Sequence, residues 1–140
     1  MNLKFQNVKN CIFIFSLIGC KTNQVKDGKR EGKWVFKDVT NDTIHFQKGW
    51  YKEGVETGVW KTYENKKLYR KEKYKGNACY ITNYHPNGKI QSKGTSLIDR
   101  QNGLIQWKMS GDWDYFDENG KHYLTRTYLN GYQITEKEIE

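Results

Sequence analysis

Along KHYLTRTYL, residues 121 to 129, side chains alternate between two sets. Tyr123, Thr125, Thr127 and Leu129 fall on one face of an extended chain, and His122, Leu124, Arg126 and Tyr128 on the other. That period of two marks a β-strand. Aromatic and β-branched runs of this kind recur along the chain with glycine between them, which favours strands joined by tight turns. The exception comes at the start, where CIFIFSLIG, residues 11 to 19, has no charge at all and gives way at Cys20 to polar KTN. Beyond it no long stretch keeps a helical period. Only the polar tail QITEKEIE, residues 133 to 140, suits a short helix.

The strand pattern repeats. Gly32-Lys33-Trp34, Gly58-Val59-Trp60 and Gly111-Asp112-Trp113 share a G-x-W signature. GVWKTYENKKLYRKEKYKG (58 to 76) and GDWDYFDENGKHYLTRTYLNG (111 to 131) run in parallel: glycine, tryptophan, aromatic, polar turn, lysine, strand, aromatic, glycine. A worn copy, CYITNYHPNGKIQSKG (79 to 94), has Cys79 for the glycine and Ile81 for the tryptophan. In it Tyr84 matches Tyr63 and Phe116, and Asn87-Gly88-Lys89 matches Asn119-Gly120-Lys121. The first copy starts at GKREGKWVFKD (28 to 38), with IHFQKGWYKEG (44 to 54) as its return strand.

The tryptophan-equivalent positions 34, 60, 81 and 113 are 26, 21 and 32 residues apart. The longest step holds TSLIDRQNGLIQWKMS (95 to 110), which reads as an extra hairpin turning at Asn102-Gly103. Asn-Gly suits a two-residue type I′ turn, with positive φ at both central residues. It occurs at 87–88 and 119–120 within units, and at 102–103 and 130–131 elsewhere. A lone hairpin is marginal in water, but stacked hairpins share an aromatic layer. Glycine two before each tryptophan lets the next strand approach or turn. The expected fold is all-β: stacked antiparallel β-hairpin repeats forming an elongated twisted sheet, with lysines protecting its edges.

The G-x-W…Y-x-x-N-G-K…Y-x-N-G grammar resembles the bacterial MORN-repeat variant family, over roughly residues 28–132. The best matches are Gly58, Trp60 and Tyr63, and Gly111, Trp113, Phe116, Asn119, Gly120, Lys121 and Gly131. Lys66 stands where a turn glycine is expected, and Cys79 and Ile81 break the third unit. The resemblance implies stacked β-hairpins that act as binding or scaffolding surfaces. Some members of that family carry the label of antitoxin components. It implies no catalytic residue.

The N-terminus has its own logic. MNLKFQNVKN carries Lys4 and Lys9 and no acid, ahead of the short apolar run and a small residue. This is the layout of a secretory signal peptide, and the run is too short to span a bilayer, which takes about 20 residues. Leu17-Ile18-Gly19-Cys20 resembles the bacterial lipobox. The resemblance implies a diacylglycerol on the Cys20 thiol, cleavage after Gly19 and acylation of the new amino group. Two or three acyl chains make a stable anchor where one is marginal. The competing readings are a buried N-terminal strand ending at a core cysteine, an uncleaved anchor, and ordinary secretion. The charge layout and the polar KTNQ oppose the first. The expected organisation is a signal peptide over 1–19, a linker over 20–27 after lipidated Cys20, repeats over 28–132 and a tail over 133–140. It places the chain in the bacterial cell envelope and leaves the side of the membrane open.

Composition then narrows the chemistry. Loss of residues 1–19 leaves 121, one small domain. Without Lys4 and Lys9 the 24 basic residues become 22 against 16 acids, a net charge of about +6. With Cys11 removed and Cys20 lipidated, Cys79 stands alone, so the mature monomer has no internal disulfide and rests on packing and pairing. Cys79 reads as a small buried strand residue rather than a free thiol or an intermolecular partner.

His45, His85 and His122 are scattered, without partners at zinc-like spacing. No G-x-S-x-G, P-loop or H-E-x-x-H occurs. Asp112, Asp114, Asp117 and Glu118 surround Trp113 and raise the idea of a glycosidase pair. However, Asp117 and Glu118 belong to the turn, and Asp112 and Asp114 point away from the tryptophan face. No metal, cofactor or catalytic residue is therefore assigned.

KKLYRKEKYKG, residues 66 to 76, interleaves base and ring, and makes Lys67, Tyr69, Arg70, Lys71, Lys73 and Tyr74 a candidate binding strip. In the cytoplasm such a strip suggests nucleic acid. An exported chain rarely meets nucleic acid, so anionic headgroups, lipopolysaccharide or an acidic protein are the matching partners. A solvated strand face is the plainer reading. The expected function is that of a non-enzymatic, membrane-anchored lipoprotein. Its partners would be membrane lipid through Cys20, and an envelope protein or anionic glycan or lipid through the sheet. The alternatives are an immunity or antitoxin protein and, further off, an enzyme of envelope carbohydrate.

Overall fold

Strand follows strand in chain order across one open antiparallel sheet in the computed structural model, which describes residues 21–101 and 103–140. The strands are β1 (Gln24–Lys26), β2 (Lys29–Thr40), β3 (Thr43–Lys52), β4 (Val55–Glu64), β5 (Lys67–Lys75), β6 (Ala78–Tyr84), β7 (Ile90–Gln101), β8 (Leu104–Phe116), β9 (His122–Leu129) and β10 (Tyr132–Glu138). The signal segment, Leu17, Ile18, Gly19, Cys20 and Asn102 lie outside the described residues.

The all-β expectation holds, with three differences of detail. β1 forms inside the segment read as a linker. The tail is strand β10 rather than a short helix, because β9 offers a row of unpaired backbone groups and a helix this short cannot offset its nucleation cost. The insertion over 95–110 adds no strands. It lengthens β7 and β8, which pair from Lys93 opposite Asp114 out to Gln101 opposite Leu104.

Two-residue turns with positive φ at both positions occur at Asp27-Gly28, Asn41-Asp42, Glu53-Gly54, Asn65-Lys66 and Asn130-Gly131. The turns at 87–88 and 119–120 are not of this type. There only Gly88 (φ 86°) and Gly120 (φ 89°) are left-handed. Gly88 N donates to His85 O at 2.8 Å, and His85 N to Lys89 O at 2.8 Å. The same pattern joins Gly120 to Asp117 at 2.9 Å and Asp117 to Lys121 at 3.0 Å. These are longer loops closed by a glycine bulge. Pro86 instead takes position i+1 of a type I turn over His85–Gly88, where its fixed negative φ is favoured. In the second loop Asp117 Oδ1 accepts from the backbone N–H of Asn119 at 2.9 Å and Lys121 at 2.8 Å. Those bonds hold its carboxyl below the usual range.

Lys66 sits at φ 69° with a full side chain. Left-handed backbone costs an L-residue about 1–2 kcal/mol, so Lys66→Gly is expected to raise the urea midpoint by the equivalent of about 1 kcal/mol. An unchanged midpoint would show that the turn relaxes without strain.

Turns on each side of the sheet are tied to a neighbouring turn or strand of the next hairpin. Asn65 N donates to Ile44 O at 2.9 Å, Gly54 N to Arg30 O at 2.9 Å, and Gly131 N to Met109 O at 3.0 Å.

The tryptophans explain the bulges. On β4, Gly58, Val59 and Trp60 face the single residue Gly49. On β8, Gly111, Asp112 and Trp113 face Gly94. The positive φ of Gly58 (65°) and Gly111 (66°) makes this bend possible. Each indole then lies on the preceding strand. A Cβ on Gly49 would stand 1.9 Å from the Trp60 ring, and one on Gly94 2.2 Å from Trp113. Trp60 Nε1 donates to Trp50 O at 3.1 Å, Trp113 Nε1 to Thr95 O at 3.0 Å, and Trp34 Nε1 to Gln24 O at 3.2 Å. The close approach is thus made at Gly49 and Gly94, while the G-x-W glycine supplies the bend. The worn unit needs neither: Ile81 pairs in plain register with Glu72.

One face of the sheet is consequently covered. Trp60 packs against Tyr51 and Phe36, with ring centroids 5.0 and 6.2 Å away. Cys79, Ile81, Ile98 and Trp113 form a second buried cluster flanked by Tyr74, Met109, Tyr115 and Tyr128. The long β7–β8 arm helps close it. Trp107 meets Tyr74 edge-on at 6.0 Å, and Arg100 reaches Glu56 on β4 at 3.4 Å. Cys79 has no exposure, and burial pushes its thiol up to about 12.

Candidate functional site

A residue on either side of a repeat tryptophan points to the opposite face of its strand. Lys33 and Val35 flank Trp34, and Val59 and Lys61 flank Trp60. Carried through the strand register, this sorts the charges of the sheet's first half. The covered face holds Arg30, His45, Glu56, Glu64, Arg70 and Glu72, several of them paired. Tyr51 Oη accepts from Arg30 at 3.0 Å and donates to Glu56 at 3.1 Å. Arg70 meets Glu72 at 3.1 Å, and His45 meets Glu64 at 3.6 Å.

The open face of β3, β4 and β5 carries Lys48, Lys52, Lys61, Lys71, Lys73 and Lys75, and no strand residue on it is a carboxylate. Lys48 lies directly opposite Lys61, and Lys61 directly opposite Lys71. The row continues through Thr82 to Lys93. Neighbouring strands put such side chains about 4.8 Å apart at the backbone. Like charges directly opposite one another destabilise a sheet. Among the described residues the lysines that meet a carboxylate are Lys93, with Asp114 at 3.7 Å, and Lys108, with Asp99 at 3.4 Å. Lys48 Nζ rests instead over the rings of Tyr63 at 5.3 Å and Phe46 at 5.8 Å.

Beside the row the bulge opens a shallow depression of about 450 Å³, lined by Lys33, Lys48, Gly49, Trp50, Val59, Lys61 and Lys71. Trp50 stands directly across from Lys33 and leaves 51% of its surface exposed, unlike Trp60 at 1%. The site therefore combines four ammonium groups with one accessible aromatic ring.

The strip read along residues 66–76 does not act as one unit. Lys71 and Lys73 belong to the open face. Arg70 and Tyr74 are on the covered face, where Tyr74 packs on Trp107 and burial raises its hydroxyl pKa. Lys67 and Tyr69 sit near the β4–β5 turn. Lys33, Lys48 and Lys61 come from other strands, and only register reveals them as neighbours of Lys71. Lysine next to Trp34 and Trp60 is the local signal for Lys33 and Lys61, and nothing local marks Lys48.

The carboxylates around Trp113 are engaged across the sheet. Asp112 Oδ1 accepts from Thr127 Oγ1 at 2.6 Å, and Asp114 Oδ1 from Thr125 Oγ1 at 2.9 Å. His85 Nε2 lies 2.8 Å from Phe116 O, and His122 Nε2 lies 2.9 Å from Thr125 Oγ1. Comparison with models of known protein families, with curated proteins and with solved structures finds no match to this chain.

Proposed function

We propose that this chain is a lipoprotein of the bacterial cell envelope, anchored through acyl groups on Cys20, whose sheet of MORN-variant-like repeats is a non-enzymatic binding surface. The observation that carries this reading is the separation of charge between the two faces. One face is closed by aromatic packing and internal ion pairs. Over β3 to β5 the other presents lysines without partner carboxylates beside an exposed tryptophan, an arrangement suited to an anionic partner.

The anchor rests on FIFSLIGCKTN and on the short distance behind it. Asn23 already pairs with β2, its N donating to Lys33 O at 2.9 Å and its Oδ1 accepting from Val35 N at 2.7 Å. Only Lys21 and Thr22 separate it from Cys20, a reach of roughly 10 Å. An acylated Cys20 would hold the sheet against the membrane surface.

The test is expression in a bacterium fed radiolabelled fatty acid, beside Cys20→Ala. Label is expected in the parent band alone. Label in neither band removes the anchor, and label in both places the acyl group elsewhere.

A further inference from the structure

We infer that the depression beside Trp50 is a binding site for an anionic sugar of an envelope glycan. This rests on the binding-surface reading above and names the ligand class. The charge pattern selects an anion, because Lys33, Lys48, Lys61 and Lys71 supply donors alone and no carboxylate lines the depression or stands on the open face of β3 to β5. Lysine binds phosphate, sulfate or carboxylate as a mobile point charge without a fixed fork geometry. The cation row runs in a line across strands, which suits anionic groups repeated along a chain.

The ring narrows the class. Trp50 is half exposed, lies across from Lys33, and lines the depression together with Gly49 and Val59. Apolar surface with a few polar groups is the usual composition of a small-ligand site, and about 450 Å³ falls within the size range of such sites. A sugar ring offers both halves of the match: a C–H face for the indole and substituents that carry charge. A flat leaflet of headgroups would meet the lysine tips and leave the concave floor uncovered.

The experiment is calorimetric titration of the full chain, held in a nonionic detergent, with a heparin-derived sulfated hexasaccharide. Uncharged chitohexaose, tripolyphosphate and glycerophosphoglycerol, the water-soluble headgroup of phosphatidylglycerol, serve as comparisons. The sulfated sugar is expected to bind, to weaken as salt rises, and to bind better than chitohexaose. Trp50→Ala is expected to weaken the sulfated sugar by about tenfold or more, as loss of an aromatic stacking partner does, without changing tripolyphosphate binding. Lys48→Gln/Lys61→Gln/Lys71→Gln is expected to weaken both anions, the sugar by roughly a hundredfold, given the contribution of each lysine at an anionic surface. This variant is expected to melt no lower than the parent, since the like-charge row is relieved.

Sugar binding that survives the triple substitution, or that ignores Trp50→Ala, overturns the site. Binding of glycerophosphoglycerol without the hexasaccharide also overturns it and gives the face to lipid headgroups. Fatty-acid labelling reads Cys20 separately. A labelled chain that binds no sulfated sugar keeps the anchor and loses this site.

Discussion

Trp60→Ala is expected to lower the stability of the folded chain by about 3–5 kcal/mol, measured as a fall in the urea midpoint at unchanged slope. Trp60 is the largest fully buried side chain of the sheet. Truncation removes its contacts with Tyr51 and Phe36 and its 3.1 Å bond to Trp50 O. Gly49 has no side chain to move into the space, so the cavity cannot be refilled from below. Trp50, one strand away on the open face, is the matched control: its truncation is expected to cost less than about 0.5 kcal/mol. A loss below about 1 kcal/mol at Trp60 would show that the indole does not hold the sheet together.

Gly94→Ala is expected to destabilise by about 3 kcal/mol or more, the upper range for overpacking. The added methyl would stand 2.2 Å from Trp113 Cδ2, so either the indole leaves its site or β7 and β8 part. The cause is isolated by a double-mutant cycle. Trp113→Ala alone should cost about 3–5 kcal/mol, and Gly94→Ala should add almost nothing on top of it. A coupling of several kcal/mol is the signature of two groups competing for one volume. If the two losses simply add, Gly94 is required by something other than the ring.

Much of this architecture was legible because a few residues speak for themselves. Trp34, Trp60 and Trp113 each follow a glycine by two positions, and that signature marked the repeating hairpins. The alternation in KHYLTRTYL placed β9 correctly. What was hidden depends on pairing across strands. Nothing local marks Gly49 or Gly94 as the floor beneath an indole, because the partner tryptophan lies 11 or 19 residues further along. The loop at 85–89 differs from the type I′ expectation because Pro86 is preset for position i+1 of a type I turn, which puts Asn87 at i+2 with negative φ and leaves Gly88 to form the bulge. The tail is a strand where its local sequence also suits a helix, because β9 supplies a pairing edge that no local pattern shows. At the candidate site Lys71 and Lys73 were legible as basic strand residues. Arg70 and Tyr74 were grouped with them by nearness in sequence, although alternation sends them through the sheet. Trp50 stands outside the G-x-W motif, and only its register opposite Lys33 marks it as part of the site.

The sheet has no closing strand: β1 and β10 are its two ends, and each strand between them pairs only with its sequence neighbours. An in-frame tandem duplication of one hairpin would therefore meet a ready-made docking edge on both sides and disturb one junction. Each copied pair of strands would widen the molecule by about 10 Å. Where the copy carries its outward lysine, the cationic row would lengthen by one more register step. Valency toward a repeating polymer would rise through copy number, with no redesign of any individual contact.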